Sequence, residues 1–320
     1  MSQVLVLGVH RSGTSVLTET VARLGLYAGG TADLDSGDQW NENGYWEHRA
    51  IRALDEELLD LAGTDWIGVT SFEPEQLPEA SRAELTVRAG SILASLDAHR
   101  PWVVKDPRLC VLLPFWLPFL DSPLFLFSLR SPLSVARSLR ARDSLPIPVG
   151  LALWETQLLA GLAATRGSRR TSFWYEHLVD SPEDEASRLG SWLRSQGCPV
   201  PVSGPTRAAT DRALLHHEAN AAEEQHLLPP GPRRLLAALR SGEAFDAGFD
   251  IRPSEDAREL MEFVGREART RRFLEKGWKQ QRAAHADAIR ILEEMIVAKD
   301  SYIADLSRHL DRTRDGDGSK

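Results

Sequence analysis

The chain has 320 residues, 42% of them hydrophobic, which is enough to bury the core of one α/β domain and leave an appendage. A formal net charge of −8 argues against a broad nucleic-acid-binding surface, and two cysteines, Cys110 and Cys198, are too few for a disulfide framework. The start of the chain lacks a signal-peptide pattern and no apolar run reaches transmembrane length. The sequence therefore predicts a cytoplasmic protein without a membrane span.

The first fifteen residues combine a buried strand, a glycine-bounded loop and the start of a helix. The strand is Val4–Leu7, and the loop reads GVHRSGTS from Gly8 to Ser15. The loop amides and the positive end of the helix dipole would point at one spot, which suits phosphate or sulfate. The spacing is close to the nucleotide-binding P-loop, but Thr14 stands where that loop has lysine, so Arg11 is its strong cation and ATP–Mg²⁺ is disfavoured. An ordinary glycine turn is the alternative.

The rest of the chain up to about residue 250 alternates strand-like and helix-like stretches. This order predicts an α/β fold with a parallel sheet and helices on both faces. The further predicted strands are Trp102–Val104, Leu124–Leu129 and Ser172–Tyr175. The predicted helices are 16–25, 49–62, 80–98, 133–142, 150–165 and 183–196. Residues 199–206 and 228–233 are rich in Pro and Gly and are predicted to be loops.

A second anion site is predicted after the strand Leu124–Leu129. Arg130 follows that strand directly, and Ser138 stands eight residues later in the next helix. Doubly wound sheets bind ligands at the carboxyl ends of their strands, where Arg can hold a phosphate bidentately and Ser can add a hydrogen bond. A surface Arg and a buried Ser in an ordinary βα unit are the alternative.

These motifs together resemble the sulfotransferases that use 3′-phosphoadenosine 5′-phosphosulfate (PAPS). The string HRSGTS (residues 10–15) resembles their 5′-phosphosulfate loop, and Arg130 with Ser138 resembles their 3′-phosphate site. The segment 174–178 (WYEHL), followed by Pro182, resembles a late strand-end segment whose tyrosine lies near the adenine. Tyr175 would either stack on that base or fill the sheet edge.

The resemblance spans roughly residues 1–195 and implies a P-loop-like three-layer fold, a PAPS donor and no metal. The chain has no match to the Gly-x-x-Gly-x-x-Lys segment of the steroid and phenol enzymes, which points toward the bacterial, carbohydrate-like or tyrosyl-like branches. The donor-binding residues that it implies are His10, Arg11, Ser12, Gly13, Thr14, Ser15, Arg130, Ser138 and Tyr175.

Lys105 is the predicted second catalytic cation, beside Arg11. It follows the strand Trp102–Val104 and opens a Lys-Asp-Pro string, which resembles the tyrosyl and bacterial sulfotransferases whose lysine faces the sulfate. The alternative is a plain turn at Lys105–Asp106. Arg108 would pair with Asp106 or meet an anionic substrate.

The candidates for the general base lie in the aromatic segment 41–48, which reads NENGYWEH. Glu47 is the first choice, because aromatic walls raise the pKa of a carboxyl toward the working range, and Glu42 and His48 are the alternatives. The string resembles the N-x-x-G-Y-W-E segment of bacterial sulfotransferases, which would border the acceptor, with Tyr45 and Trp46 stacking on it. Glu47 could instead only flank the next helix.

From about residue 255 charged residues dominate, and a long helix or coiled coil is predicted. Its apolar residues recur at 3-4 spacing, with Lys299 as an interruption, which favours a homo-oligomer over a helix packed on its own domain. The residues of this seam are Ile289, Leu292, Ile296, Ile303, Leu306 and Leu310. The predicted domains are 1–253 (α/β), 254–311 (helical) and 312–320 (a disordered tail).

The leading hypothesis is a sulfotransferase acting on a hydroxyl of a glycan, glycolipid or other small molecule of secondary metabolism. A P-loop kinase would need a Walker-B-like Asp at a strand end, where the chain has Arg130. A non-catalytic nucleotide-binding scaffold that dimerises through its C-terminal helix is the third hypothesis. His216, His217 and His226 are assigned to a solvated helix face and not to a metal. Five tryptophans are assigned to the core: Trp66, Trp102, Trp116, Trp154 and Trp192.

Overall fold

The computed structural model describes residues 2–37, 44–201 and 219–316, with side chains only in part beyond residue 275. Within these residues the strands form one four-stranded parallel sheet in the order β2-β1-β3-β4. The strands are β1 (Gln3–Leu7), β2 (Trp102–Lys105), β3 (Leu124–Leu129) and β4 (Arg169–Trp174). The α/β fold with a parallel sheet is thus confirmed.

Helices cover both faces of the sheet, since the two sides of β1 belong to different cores. Leu5 and Leu7 join the larger core, whereas Val4 and Val6 join the smaller one. All five residues of β1 are buried, as expected for a parallel strand covered on both faces. The predicted strands 102–104 and 124–129 agree with the structure, but the fourth begins at Arg169, and Tyr175 already belongs to a helix.

The helices follow the predicted order with shifts of a few residues at their ends. They are α1 (Thr14–Arg23), α2 (Arg49–Leu61), α3 (Glu79–Asp97), α4 (Leu109–Trp116), α5 (Pro132–Asp143), α6 (Ile147–Ala164), α7 (Tyr175–Asp180), α8 (Pro182–Ser195), α9 (Ala221–Leu227), α10 (Pro230–Ser241) and α11 (Glu255–Gly316).

Four of these helices, α4, α7, α9 and α10, lie outside the predicted helical ranges, and α4 and α10 show two different physical reasons. The helix α4 is buried at seven of its eight residues, so it shows a continuous apolar run and no amphipathic period. The predicted loop 228–233 is wrong from residue 230, where α10 begins. Proline and glycine there indicated a loop, but proline is well tolerated in the first turn of a helix, where its missing N–H costs no hydrogen bond. Of the predicted loop 199–206, residues 202–206 lie outside the described residues.

One described helix, α6, is long and apolar enough to cross a membrane by length and composition, contrary to the prediction that no apolar run has that length. Of its apolar window, 72% is buried inside the structure. Its buried residues include Trp154 and Leu153, and it packs mainly against α4 and α5. These contacts are those of a central helix in a globular domain.

The chain divides into two compact units, Met1–Ala268 and Arg269–Lys320. In the first unit, Ala257, Met261 and Ala268 are buried, so the beginning of α11 contributes to its core. In the second unit, Ile289 and Leu292 of the predicted seam are more than half exposed, and the side chains of the other seam residues lie outside the described ones. Self-association through this seam, like the domain boundaries at 253 and 311, stays a prediction.

Candidate active site

The loop between β1 and α1 lies at the carboxyl edge of the sheet, and its shape depends on glycine at both ends. Gly13 has a φ of +90°, and a Cβ there would overlap Cδ2 of the Tyr175 ring. At Gly8 (φ +151°) a Cβ would lie 2.7 Å from the backbone oxygen of Ser128. Gly13 is also the N-cap of α1 and provides no side-chain cap, so the first amides of that helix are left for another acceptor.

Two hydroxyl groups that were predicted to bind phosphate also make hydrogen bonds that hold the loop together. Ser12 Oγ donates to the backbone oxygen of Val9 at 2.8 Å, and Ser15 Oγ donates to that of Tyr45 at 3.1 Å. Ser128 Oγ, from β3, donates to the backbone oxygen of Ser12 at 2.9 Å. The loop is therefore held in place before any ligand binds, and two of its amides take part, since Gly8 N donates to Cys110 Sγ and Ser12 N to the backbone oxygen of Val9. Thr14, which starts α1, is buried.

Arg11, Arg130 and Ser138 come together although they are far apart in sequence. Arg11 Nε donates to Ser138 Oγ at 2.9 Å, and Arg130 Nη1 donates to the backbone oxygen of Arg11 at 3.2 Å. Arg130 and Ser138 are both nearly buried, at 5% and 3% exposure. The residues predicted for the 5′ and 3′ ends of the ligand thus form one connected cluster. Arg11 has a left-handed φ of +70°, a strained conformation for this residue type.

Like charges crowd the Arg11 guanidinium. Burial lowers its pKa, and the neighbouring guanidiniums of Arg142 and Arg130 lower it further. Holding several cations together in a partly buried place is unfavourable unless an anion joins them. The arrangement therefore favours binding of a phosphate or sulfate group.

Tyr175 is almost fully buried, with 6% exposure. Its ring lies against Gly13 on one side, and the Arg130 guanidinium carbon is 4.6 Å from the ring centroid. The ring thereby supports both the loop and Arg130. This contact fits the interpretation that Tyr175 fills the sheet edge, whereas stacking on an adenine stays a prediction.

Lys105 and Glu47 form a buried pair beside the loop. Lys105 ends β2 and Glu47 precedes α2, and Lys105 Nζ donates to Glu47 Oε1 at 2.7 Å. Both residues are buried, with exposures of 1% and 8%. Burial raises the pKa of Glu47 above its usual value, while the Lys105 ammonium lowers it and Asp106 raises it. The ammonium has two further N–H donors besides the one used on Glu47.

The alternatives for Arg108 are partly decided, because it pairs with Asp106. Its Nη1 lies 3.0 Å from both carboxylate oxygens of Asp106, and its Nη2 donates to Glu56 Oε1 at 3.2 Å. Burial lowers the pKa of Arg108, but the carboxylates of Asp106 and Glu47 outweigh that effect and raise it. Arg108 is thus neutralised by carboxylates of the protein itself.

Two residues next to the loop were missed by sequence reasoning. Trp66, predicted to be a core residue, is only partly buried, and its ring centroid lies 4.2 Å from that of His10. The Arg142 guanidinium lies 5.8 Å from the Trp66 ring. Burial lowers the pKa of His10, and so do the cations of Arg108 and Arg142. Arg142 could have been predicted from the sequence as a residue of this site, because it follows Ser138 by four residues on one face of α5. Trp66 has no such relation to a predicted site residue.

Of the two alternatives for the base, Glu42 and His48, the structure describes only His48, because Glu42 lies outside the described residues. His48 pairs with Leu34 in an isolated bridge, and burial lowers its pKa, while Asp33 raises it. Trp46, predicted to stack on the acceptor, packs against the smaller core, and Tyr45 receives the Ser15 hydrogen bond through its backbone. Among the candidates that the structure describes, Glu47 is the one in contact with Lys105.

A metal site is not found among the described residues, in which no group of three or more His, Cys, Asp or Glu side chains could hold an ion. His216 and His217 of the histidine group lie outside the described residues, whereas His226 lies on α9.

Comparison with known proteins gives matches among solved structures, while no family model and no curated protein matches the chain. The sulfotransferase domain of the Synechococcus PCC 7002 olefin synthase is 20% identical, with a TM-score of 0.39 over 82% of this chain and 94% of that one. The sulfotransferase domain of the curacin biosynthetic pathway is 16% identical, with a TM-score of 0.40 over 82% and 97%. Sulfotransferase STF9 from Mycobacterium avium is 16% identical, with a TM-score of 0.42 over 78% and 77%.

These three structures are sulfotransferases or sulfotransferase domains by their names, the class that the motifs of the sequence resemble. The similarity to these structures is low, with 16–20% identity and TM-scores of 0.39–0.42. The reaction therefore has to be inferred from the site itself.

Proposed function

We propose that the chain is a PAPS-dependent sulfotransferase that transfers a sulfuryl group to a hydroxyl of a glycan, glycolipid or other secondary metabolite. The observation that carries the proposal is the cluster of Arg11, Arg130 and Ser138 around the glycine-bounded loop. A donor with a 5′-phosphosulfate and a 3′-phosphate has two anionic ends, and this cluster offers a guanidinium to each.

The contacts support the following donor-binding roles. The amides of Gly13 and Thr14, at the start of α1, would bind the 5′-phosphosulfate, with Arg11 beside it. The amides of Gly8 and Ser12 already donate to Cys110 Sγ and to the backbone oxygen of Val9. Arg130, supported by Tyr175, and Ser138 would bind the 3′-phosphate. An anion there would relieve the repulsion that lowers the pKa of Arg11. His10, with its neighbour Trp66, would border the sulfuryl group.

The buried pair of Lys105 and Glu47 supplies what sulfuryl transfer needs. Glu47 would accept the proton of the acceptor hydroxyl while the oxygen of that hydroxyl bonds to sulfur. Lys105 would donate a hydrogen bond to the bridging oxygen, which keeps the electron pair when its bond to sulfur breaks. Burial raises the pKa of Glu47 toward the range where a base is effective, and Lys105 favours its ionised form. This chemistry uses side chains alone and calls for no metal.

Selectivity for the 3′-phosphate tests the proposal. In Arg130→Ala, we expect adenosine 3′,5′-bisphosphate to bind roughly tenfold to a hundredfold more weakly, because a charge-assisted hydrogen bond is lost. Adenosine 5′-phosphate should lose much less. Arg188→Ala is the matched control, because Arg188 also lies over an aromatic ring, that of Phe173, away from the loop. An equal loss for both nucleotides in Arg130→Ala would contradict the assignment.

A further inference from the structure

The second unit contains a stretch of α11 whose charge differs from that of the rest of the chain. Residues 269–282, the basic aromatic segment, have a net charge of +5, from six Lys and Arg residues and one Glu, in a chain of net charge −8. The basic residues are Arg269, Arg271, Arg272, Lys276, Lys279 and Arg282. Such a concentration of positive charge favours an anionic partner.

The same segment exposes three large apolar side chains. Phe273 is 77% exposed, Leu274 is 56% exposed and Trp278 is 71% exposed. Single exposed apolar residues are common, but a Phe, a Leu and a Trp within six residues form a continuous apolar surface that water solvates poorly. The surface therefore suits contact with something less polar than water.

The apolar residues lie on one face of the helix and most of the charges on the other. At about 100° per residue, Phe273, Leu274 and Trp278 fall within an arc of roughly 140°. Arg269, Arg272 and Arg282 fall outside that arc. A helix with Phe, Leu and Trp on one side and basic residues on the other is typical of segments that lie in the interface of a membrane.

A second copy of the chain fits this surface poorly. Ile289 and Leu292 occupy the two core positions of the predicted seam, and these positions repeat every seven residues. Extending the repeat toward the N-terminus puts Arg282 and His285 into the seam. Carried back once more, the repeat puts Glu275 and Trp278 into the seam but leaves Phe273 and Leu274 outside it. Two copies of a segment with a net charge of +5 would also repel each other. An anionic lipid surface offers both an apolar interface and the opposite charge.

We propose that the basic aromatic segment binds the surface of anionic lipid membranes. Phe273, Leu274 and Trp278 would enter the headgroup region, and the basic side chains would contact lipid phosphates and carboxylates. This inference concerns the second unit and does not depend on the proposed sulfotransferase activity.

The test is cosedimentation of the full-length protein with vesicles of phosphatidylcholine alone or with phosphatidylserine added. The protein should pellet with the anionic vesicles and stay in solution with the neutral ones, and added salt should reduce pelleting. The triple variant Arg269→Gln, Arg272→Gln and Arg282→Gln should weaken binding by roughly fivefold for each charge removed. Phe273→Ala with Trp278→Ala should weaken it by at least about tenfold.

The matched control is Ile291→Ala with Val297→Ala, because these exposed apolar residues lie on α11 outside both the segment and the seam. It should pellet like the unchanged protein, and circular dichroism should show equal helix content in all variants. Absence of pelleting with anionic vesicles, equal pelleting with neutral ones, or an equal loss in the control would overturn the proposal. So would light scattering that shows a smaller oligomer for Phe273→Ala with Trp278→Ala, since the face would then be a protein interface.

Discussion

The two halves of the candidate site treat their cations differently. On the donor side, which comprises the proposed donor-binding residues Arg11, Arg130 and Ser138, Arg11 donates to the Ser138 hydroxyl, and its pKa is lowered first by burial and then by the guanidiniums of Arg142 and Arg130. On the reaction side, which comprises the proposed catalytic pair Lys105 and Glu47, Lys105 donates to Glu47, and the carboxylates around the neighbouring Arg108 raise the pKa of Arg108. An anion bound on the donor side would relieve the repulsion between its cations. On the reaction side the cations are already paired with carboxylates of the protein, and Glu47 can still accept a proton.

Glu47→Gln tests the reaction side and should give the largest effect. We expect turnover to fall by roughly a hundredfold or more, because general-base catalysis contributes factors of about 10² to 10⁴. The glutamine oxygen can still accept the hydrogen bond from Lys105, so adenosine 3′,5′-bisphosphate should bind nearly as before. The measurement is sulfate transfer from PAPS, with calorimetry for binding. Glu56→Gln, near Arg108 but half exposed, is the control. Retained turnover in Glu47→Gln would move the base to another residue.

Lys105→Met tests whether the ammonium of Lys105 compensates the buried charge of Glu47. Removing the ammonium leaves a buried carboxylate, which should destabilise the fold by about 3 kcal/mol at pH 8. The pKa of Glu47 is already raised by burial, and loss of Lys105 raises it further. A group whose pKa is higher in the folded than in the unfolded state stabilises the fold at pH values below its unfolded-state pKa. That contribution is lost as the pH rises through the folded-state pKa. The penalty, measured by urea unfolding, should therefore be smaller near pH 5 than at pH 8.

The double variant Lys105→Met with Glu47→Gln is the internal control, because it removes both charges of the pair. It should recover part of the stability at pH 8. An identical penalty at both pH values would show that Glu47 does not depend on Lys105 for its ionisation.

Gly13→Ala tests the donor side through its backbone. A methyl group there has to displace the Tyr175 ring and keep a φ of +90°, so we expect a loss of about 2–4 kcal/mol in unfolding experiments. Gly167→Ala is the matched control, because Gly167 has a similar φ of +76° and nothing within 4 Å of an added Cβ. It should lose only about 1 kcal/mol. Equal losses in the two variants would mean that Tyr175 does not hold the loop.

Sequence order identifies the strand-end residues of this site, because the carboxyl ends of parallel strands meet at one edge of the sheet. Arg130 and Lys105 are found in that way, and the glycine-bounded loop is found from its spacing. The contact between Arg11 and Ser138 spans 127 residues and depends on how α5 packs, which no local pattern encodes. The same holds for Trp66 beside His10 and for Trp46, which is partly buried against the smaller core, while its stacking on an acceptor stays a prediction.

The central claim is that the donor side binds a nucleotide with phosphates on both the 3′ and 5′ positions. The most direct test is a pair of calorimetric titrations. One uses adenosine 3′,5′-bisphosphate without metal, and the other uses ATP–Mg²⁺. The crowded cations of Arg11 and Arg130 predict tight, metal-independent binding of the bisphosphate and little binding of ATP–Mg²⁺. Preference for ATP–Mg²⁺ would contradict the account and assign the loop to a kinase-like phosphotransferase.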